Sequence, residues 1–255
     1  ARPWLLEALD DPDPDLRAEA ARAAGRIRER HPQAAFPLTD VAKAVQDEVQ
    51  QAYQTLATML DLELPQGHLL QEALHNRHRK HLGIALRLLE VRYPARTIQL
   101  VASNLESNNK IVRANALEVM DNLLARDESR LFVPLLEDNA DAARVRFADE
   151  NFSIQHRPCV EWLADLVGDS DPWLKSCALH RVRELGIDTL EEQVAAHVAA
   201  PEAMVRETAL LTLASFPTSE GRRDRLAPLA EKQREDESPL VRYASQVLLK
   251  HLAVA

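Results

Sequence analysis

The sequence predicts an all-α protein, a right-handed α-solenoid of about six helical hairpins, and three observations carry that reading. First, the 255 residues are rich in Ala, Leu, Glu and Arg, while aromatic residues make up 4% and Gly occupies six positions. That balance favours helices and gives little support to sheet-rich folds or glycine-rich phosphate loops. Second, apolar residues recur at helical spacing. On a wheel of about 100° per residue, Val112, Ala116, Leu117, Val119, Met120, Leu123 and Leu124 share one arc, opposite Asn115, Glu118, Asp121 and Asn122. Third, one phrase returns along the chain: a polar or Pro-containing turn, an aliphatic residue, a base, then small residues opening a helix.

Five copies of that phrase stand out. They are DDPDPDLRAEAARAAGRI from Asp10, NNKIVRANALEVMDNLL from Asn108, GDSDPWLKSCALHRVREL from Gly168, APEAMVRETALLTLASF from Ala200 and DESPLVRYASQVLLKHL from Asp236. Their bases are Arg17, Arg113, Lys175, Arg206 and Arg242. The last three are 31 and 36 residues apart, and the earlier intervals of 96 and 62 residues are near multiples of the same unit. A unit of that length holds two helices and two turns, as in stacked repeats.

Taken in order, residues 4–9 read as the tail of a first helix and residues 16–30 as its partner. Pro32 and Pro37 break the chain. Thr39 and Asp40 then place a capping hydroxyl and a negative charge at the start of a helix running to about Leu60. Tyr53, Leu56 and Leu60 share its apolar stripe. Pro65 and Gly67 break again ahead of a long helical segment over 68–93. Pro94 and Ala95 open a helix to about Ser107, and Asn109 begins its partner. Residues 131–137 and 144–147 carry weaker patterns, and 139–158 reads as a long connection. From Cys159 onward the pairs are regular: 160–167 with 173–185, 190–199 with 204–216, and 222–234 with 240–253. Pro201, Pro217 and Pro239 punctuate their turns. Residues 1–255 therefore read as a single array, irregular over 31–66 and 138–158.

Each base projects from the apolar side of its helix. Arg17 sits among Leu16, Ala20, Ala21, Ala24 and Ile27, Lys175 among Leu174, Ala178, Leu179 and Val182, and Arg206 among Val205, Ala209, Leu210 and Leu213. A buried cation is tolerated only when it is paired and hydrogen-bonded. Acceptors lie just upstream: Asp13 and Asp15, Asn108 and Asn109, Asp169 and Asp171, Glu202, and Asp236 with Glu237. The expectation is a ladder in which each base reaches carboxylates, amides or carbonyls of its own turn or a neighbour's, fixing the stacking register. Arg242 differs, because Gln246 and Lys250 share its side; a terminal repeat must expose one wet face.

This pattern, a Pro/Asp turn followed by Val or Leu, a base and small residues, resembles HEAT and HEAT-like repeats. The resemblance covers five helices and their turns, and it implies a structural ladder of turn Asp and helical Arg. Separately, HLGIALRLLEVRYPARTIQLVASNLESNNKIVRANALEVMDNLL, residues 81–124, is similar to the HEAT domain attached to some bacterial nucleotide-transporter-like membrane proteins. That likeness implies a soluble domain beside a membrane.

Other features bound the function. A net charge of −9 argues against broad coating of nucleic acid. Cys159 and Cys177 read as small buried fillers and fit a reducing cytosol. No apolar run approaches the ~18 residues of a membrane span, and no signal peptide is evident. The chain begins without Met, in mid-helix, as an excised domain would, leaving room for a membrane segment outside it. His75, His78 and His81 spread over roughly 120° of one helix with no residues to complete a metal set. They belong to a basic zone, residues 76–96, in which Arg77, Arg79, Lys80, Arg87, Arg92 and Arg96 face a single acid, Glu90. Such a zone is a contact surface for phosphates, anionic lipid headgroups or an acidic partner. Asp165, Asp169, Asp171, Glu191 and Glu192 lie near helix ends, where capping and the helix dipole explain them. Ser153, His156 and Cys159 are close in sequence only, which assembles no triad. Trp4, Trp162 and Trp173 read as core or groove-edge anchors.

Function follows from the architecture: a non-catalytic protein–protein interaction scaffold using the concave face of the array, with no catalytic, cofactor or metal residues. Its partner is another protein, met through exposed side chains such as Asn115, Glu118, Asn122, Arg183, Glu207 and Thr208. Nucleic acid is disfavoured, and the location is cytoplasmic, as a free protein or as the soluble domain of a membrane protein. The alternative is a HEAT-like enzyme. A DNA glycosylase of that type needs a basic groove with aromatic contacts to DNA; a bilin lyase needs a tetrapyrrole pocket that no residue set here specifies.

Overall fold

A computed structural model describes residues 3–31 and 37–253, which form fourteen α-helices and three short 3-10 turns, with no strand among the described residues. They gather into two compact units, Ala1–Leu60 with His75–His156, and Asp61–Leu74 with Arg157–Ala255.

In the first unit α1 (Pro3–Leu9) and α2 (Pro14–Arg30) pack as a hairpin. Asp13 caps α2, its carboxylate accepting the Asp15 N–H at 2.8 Å, and Pro14 supplies a first residue that needs no donor. Ala20, Ala21 and Ala24 form the buried face of α2, and such small side chains let backbones approach closely. The next helix, α3 (Leu38–Asp61), is the most deeply embedded, burying residues at helical spacing from Val41 to Met59. Tyr53 lies fully inside, its hydroxyl donating to the Leu131 carbonyl at 3.1 Å and its ring 5.9 and 5.5 Å from those of Phe147 and Phe152. Side chains of this size contribute roughly 1.5–3 kcal/mol each on burial. Thr39 was the expected cap of this helix, but it lies inside it. The Asp40 and Val41 N–H groups already bond to the Pro37 carbonyl, so the first turn opens one residue earlier.

Helix α4 (Leu69–Arg92) follows, its residues up to Leu74 counting with the second unit. Helices α5 (Ala95–Leu105) and α6 (Lys110–Leu123) form a second hairpin, with Asn109 accepting the Ile111 N–H at 2.9 Å. Val119, expected on the apolar arc of α6, is exposed; burial there narrows to Ala116 and Met120. The stretch 31–66 holds α3, the helix expected from Thr39 to about Leu60. The stretch read as a long connection, 139–158, is largely helical; it contains α8 (Asp141–Asn151), preceded by α7 (Arg126–Leu136). Helix α8 has little amphipathic pattern. It is held by Val145 and Ala148 in the core and by Phe147 against Tyr53, contacts invisible to local periodicity.

In the second unit the hairpins are α9 (Cys159–Val167) with α10 (Pro172–Leu185), α11 (Glu191–Ala196) with α12 (Ala203–Leu213), and α13 (Glu220–Lys232) with α14 (Pro239–Ala253). Helix α12 packs along both α10 and α14. Leu174, Leu179 and Val182, then Val205, Leu210 and Leu213, then Val241 and Leu248 are buried along this stack. Asp171 caps α10 by accepting the Trp173 and Leu174 N–H groups, and Gly186 ends it in the left-handed region at φ 62°. Only Gly adopts that conformation without a Cβ penalty. Trp162 is buried and donates its Nε1–H to Asp61 at 2.9 Å. Of the tryptophans expected as core or groove-edge anchors, Trp162 is in the core, and Trp4 and Trp173 are among the exposed large side chains.

Candidate functional site

Four of the five bases that stood out in sequence are held by turn carbonyls, some in a fuller recurring clamp. In its fullest form, Arg206 donates from Nη1 to the Ala200 and Pro201 carbonyls at 2.9 and 2.7 Å. Its Nε and Nη2 donate to the two oxygens of Asp236 at 2.8 and 2.9 Å. Arg17 repeats the scheme, with Nη1 on the Asp11 and Pro12 carbonyls at 2.8 and 3.1 Å and Nε on Glu48 at 2.5 Å. Arg242 donates to the Asp236 and Glu237 carbonyls, and Arg113 to the Ser107 carbonyl, with Asp138 3.9 Å away. A guanidinium is suited to this, because its planar fork serves carbonyls on one edge and a carboxylate on the other. Lys175 has no hydrogen-bond or ion-pair partner among the described residues, since a single ammonium cannot bridge both sets.

Of the turn acids expected to receive these bases, Asp236 takes Arg206, while others do different work. Asp13, Asn109 and Asp171 cap their helices, and Asp15 is exposed and pairs with Lys80 at 2.8 Å. Turn carbonyls take the guanidinium edge, and the carboxylates come from about one repeat away. Two members of the scheme escaped the sequence reading: buried Glu191, which accepts from Arg222 and, at 2.6 Å, from Arg225, and Arg222 itself, which also reaches the Pro217 carbonyl. A signal was present, since Arg17, Arg206 and Arg222 each follow a proline by five residues.

The electrostatics match the geometry. Hydrogen bonding to Arg206 holds the Asp236 carboxyl below its usual range, and the same bond raises the Arg206 guanidinium. Burial alone would raise Glu48, but hydrogen bonds from His81 (2.6 Å to Nδ1) and Arg17 outweigh it and hold the carboxyl low. Burial depresses His78 to about 4 despite the hydrogen bond to the Ala52 carbonyl at 3.0 Å. Burial raises the Cys177 thiol to about 11 and also raises Cys159. These are signatures of packing, and no group of metal-binding residues converges among the described residues.

The basic zone divides. Arg92 is tied inward, donating to the Leu38 carbonyl at 2.6 Å and pairing with Glu128 at 2.8 Å, and so leaves the expected contact surface. Lys80 is held by Asp15 and Arg77 is half-buried, whereas Arg79, Arg87 and Arg96 are exposed. Arg87 joins Arg22 and Arg26 of α2 in lining a cleft of about 240 Å³, with Glu29 and Glu90 beside them. Of the side chains expected to confer selectivity, Asn115, Glu118, Asn122 and Arg183 are exposed, and Glu207 and Thr208 half-exposed. No helix among the described residues is long and apolar enough to cross a membrane.

Comparison with known proteins places the first hairpin. Residues 1–57 match the sequence profile of a family described as HEAT repeats. That stretch of the chain is similar to HEAT repeats. Arg17 and its clamp partners Asp11, Pro12 and Glu48 lie within that match. No curated protein sequence matches the chain significantly. Among solved structures, an engineered protein aligns over 98% of this chain and 96% of its own at 14% identity and a TM-score of 0.35. A designed armadillo repeat protein in complex with the peptide (KR)4 aligns over 98% of both chains at 13% and 0.34. The archaeal HEAT-like repeats protein from Thermococcus onnurineus NA1 aligns over 98% of this chain and 86% of its own at 15% and 0.33. Likeness at this level carries no inference about function.

Proposed function

We propose that the protein is a non-catalytic interaction scaffold that binds another protein on the face built by its second helices. The observation that carries this reading is the stack of α10, α12 and α14, with Arg206 joining the turn before α12 to the turn before α14. A fixed register turns side chains from successive helices into one continuous surface, which is how repeat arrays recognise partners. To test it, a photocrosslinking residue is placed at Arg183 or Thr208 on this face and at Val160 or Arg223 on the first helices. Crosslinks to other proteins in native lysate should concentrate at the first pair of sites; equal yields at all four, or none, would overturn the proposal.

A second reading attaches to the first unit, where Arg22, Arg26 and Arg87 share one cleft. We infer that this basic face meets an anionic surface, either a membrane or an acidic partner, in keeping with the resemblance of residues 81–124 to a membrane-attached domain. Replacing Arg26 and Arg87 with Glu should abolish sedimentation with phosphatidylglycerol vesicles at low salt. Sedimentation that is unchanged, or absent for the unmodified chain, dismisses the membrane.

A further inference from the structure

On the amino-terminal turns of α10, α12 and α14, large apolar side chains stand in solvent. Trp173 is 44% exposed, Met204 37%, Leu240 59% and Tyr243 63%. Their placement is regular: Trp173, Met204 and Leu240 each stand two residues before the repeat base, Lys175, Arg206 or Arg242. Tyr243 lies three residues beyond Leu240, on the same face of α14. Because α12 packs along both α10 and α14, the four side chains form one strip crossing three helices. Trp, Tyr and Met are residue types enriched at the centres of protein interfaces. Acids outnumber bases around the strip, where Lys175 and Arg242 are the half-exposed bases. Asp171, Glu202 and Glu237 stand in the turns that enter the three helices, and Glu207 follows Arg206. The Glu237 side chain is almost wholly in solvent. The unit as a whole holds twelve Lys and Arg against nineteen Asp and Glu over residues 61–74 and 157–255.

We propose that this strip is the docking site for a basic amphipathic helix of a partner protein. The proposal rests on the scaffold reading of the same stack. Packed helices lie about 8–10 Å apart, close to the roughly 10.5 Å that seven residues rise along an α-helix. Apolar side chains one heptad apart on a helix laid across the stack therefore meet Trp173, Met204 and Leu240 in turn, and its Lys and Arg meet the acidic rim. A second copy of this chain fits poorly, because a self-contact would set one acidic rim against another.

The probe is a synthetic helix of about 20 residues with Leu and Trp at heptad spacing and Lys or Arg elsewhere, beside a scrambled peptide of the same composition. Fluorescence anisotropy should give the intact chain about tenfold tighter binding to the ordered peptide. That preference should vanish in the W173A/Y243A variant, whose circular dichroism stays native because both side chains are exposed. In E202K/E237K both peptides should weaken. Equal affinity for the two peptides, or a preference that survives W173A/Y243A, overturns the proposal. So does a concentration-dependent dimer in sedimentation that W173A/Y243A abolishes, since the strip would then be a self-interface. If the peptide preference fails while photocrosslinks persist at Arg183 and Thr208, the scaffold stands and the strip alone is wrong.

Discussion

Removing the Asp236 carboxylate probes the clamp most directly. Arg206 is buried, with four hydrogen bonds: two to the Ala200 and Pro201 carbonyls and two to Asp236. In Asp236→Ala the carbonyl pair survives and Nε and Nη2 lose their acceptors. Hydrogen bonds involving a charge are each worth about 1.5–3 kcal/mol, and breaking a buried pair costs about 3–5 kcal/mol. Glu237, 3.8 Å from Nη2, can swing in and recover part of that, leaving about 3 kcal/mol. At about 4–8 °C per kcal/mol for a unit near 100 residues, the second unit should melt some 12–24 °C lower. The sign with pH is also determined. The folded-state carboxyl is depressed, so its stabilisation is present above the ordinary Asp pKa of about 3.9 and fades as pH falls through the lower folded value. Urea denaturation of both proteins at pH 7 and pH 3 measures this. A difference below about 1 kcal/mol at pH 7, or one that fails to shrink between pH 7 and pH 3, would refute the reasoning.

Three further outcomes follow from the same structure. Glu191→Ala strips the carboxylate from Arg222 and Arg225 and should cost about 3 kcal/mol in urea, whereas Glu192→Ala, at an exposed site, should stay within about 0.5 kcal/mol. His78 is buried with its pKa lowered to about 4, so the unfolded chain binds the extra proton first as pH falls. Stability should drop by about 2 kcal/mol between pH 7 and pH 5, and His78→Asn should flatten that slope in calorimetry. Gly186→Ala meets no steric neighbour but must hold φ 62°; a loss of about 1 kcal/mol in thermal denaturation is expected.

Much of the fold was legible because its signals are local. Pro and Asp turns and apolar residues at helical spacing each act within a few residues, and they placed the hairpins on either side of their turns. The position of the bases on apolar arcs was legible for the same reason, since helical geometry alone aims Arg17 and Arg206 inward. Helix α8 was not legible, because its own pattern is weak and a distant partner, Tyr53, holds Phe147.

The sequence by itself therefore determined an all-helical chain of paired segments with cations that had to find company. Only the tertiary structure decided which company. Glu48, Asp236 and Glu191 reach their arginines across 30 or 31 residues; Lys175 is left without a partner among the described residues, and Trp173 is turned outward. The physical reason is one of range. Turns and helices form from neighbours in sequence, whereas the choice of acceptor for a buried guanidinium, and of which apolar side chains stay wet, depends on what packing brings across the seam between repeats.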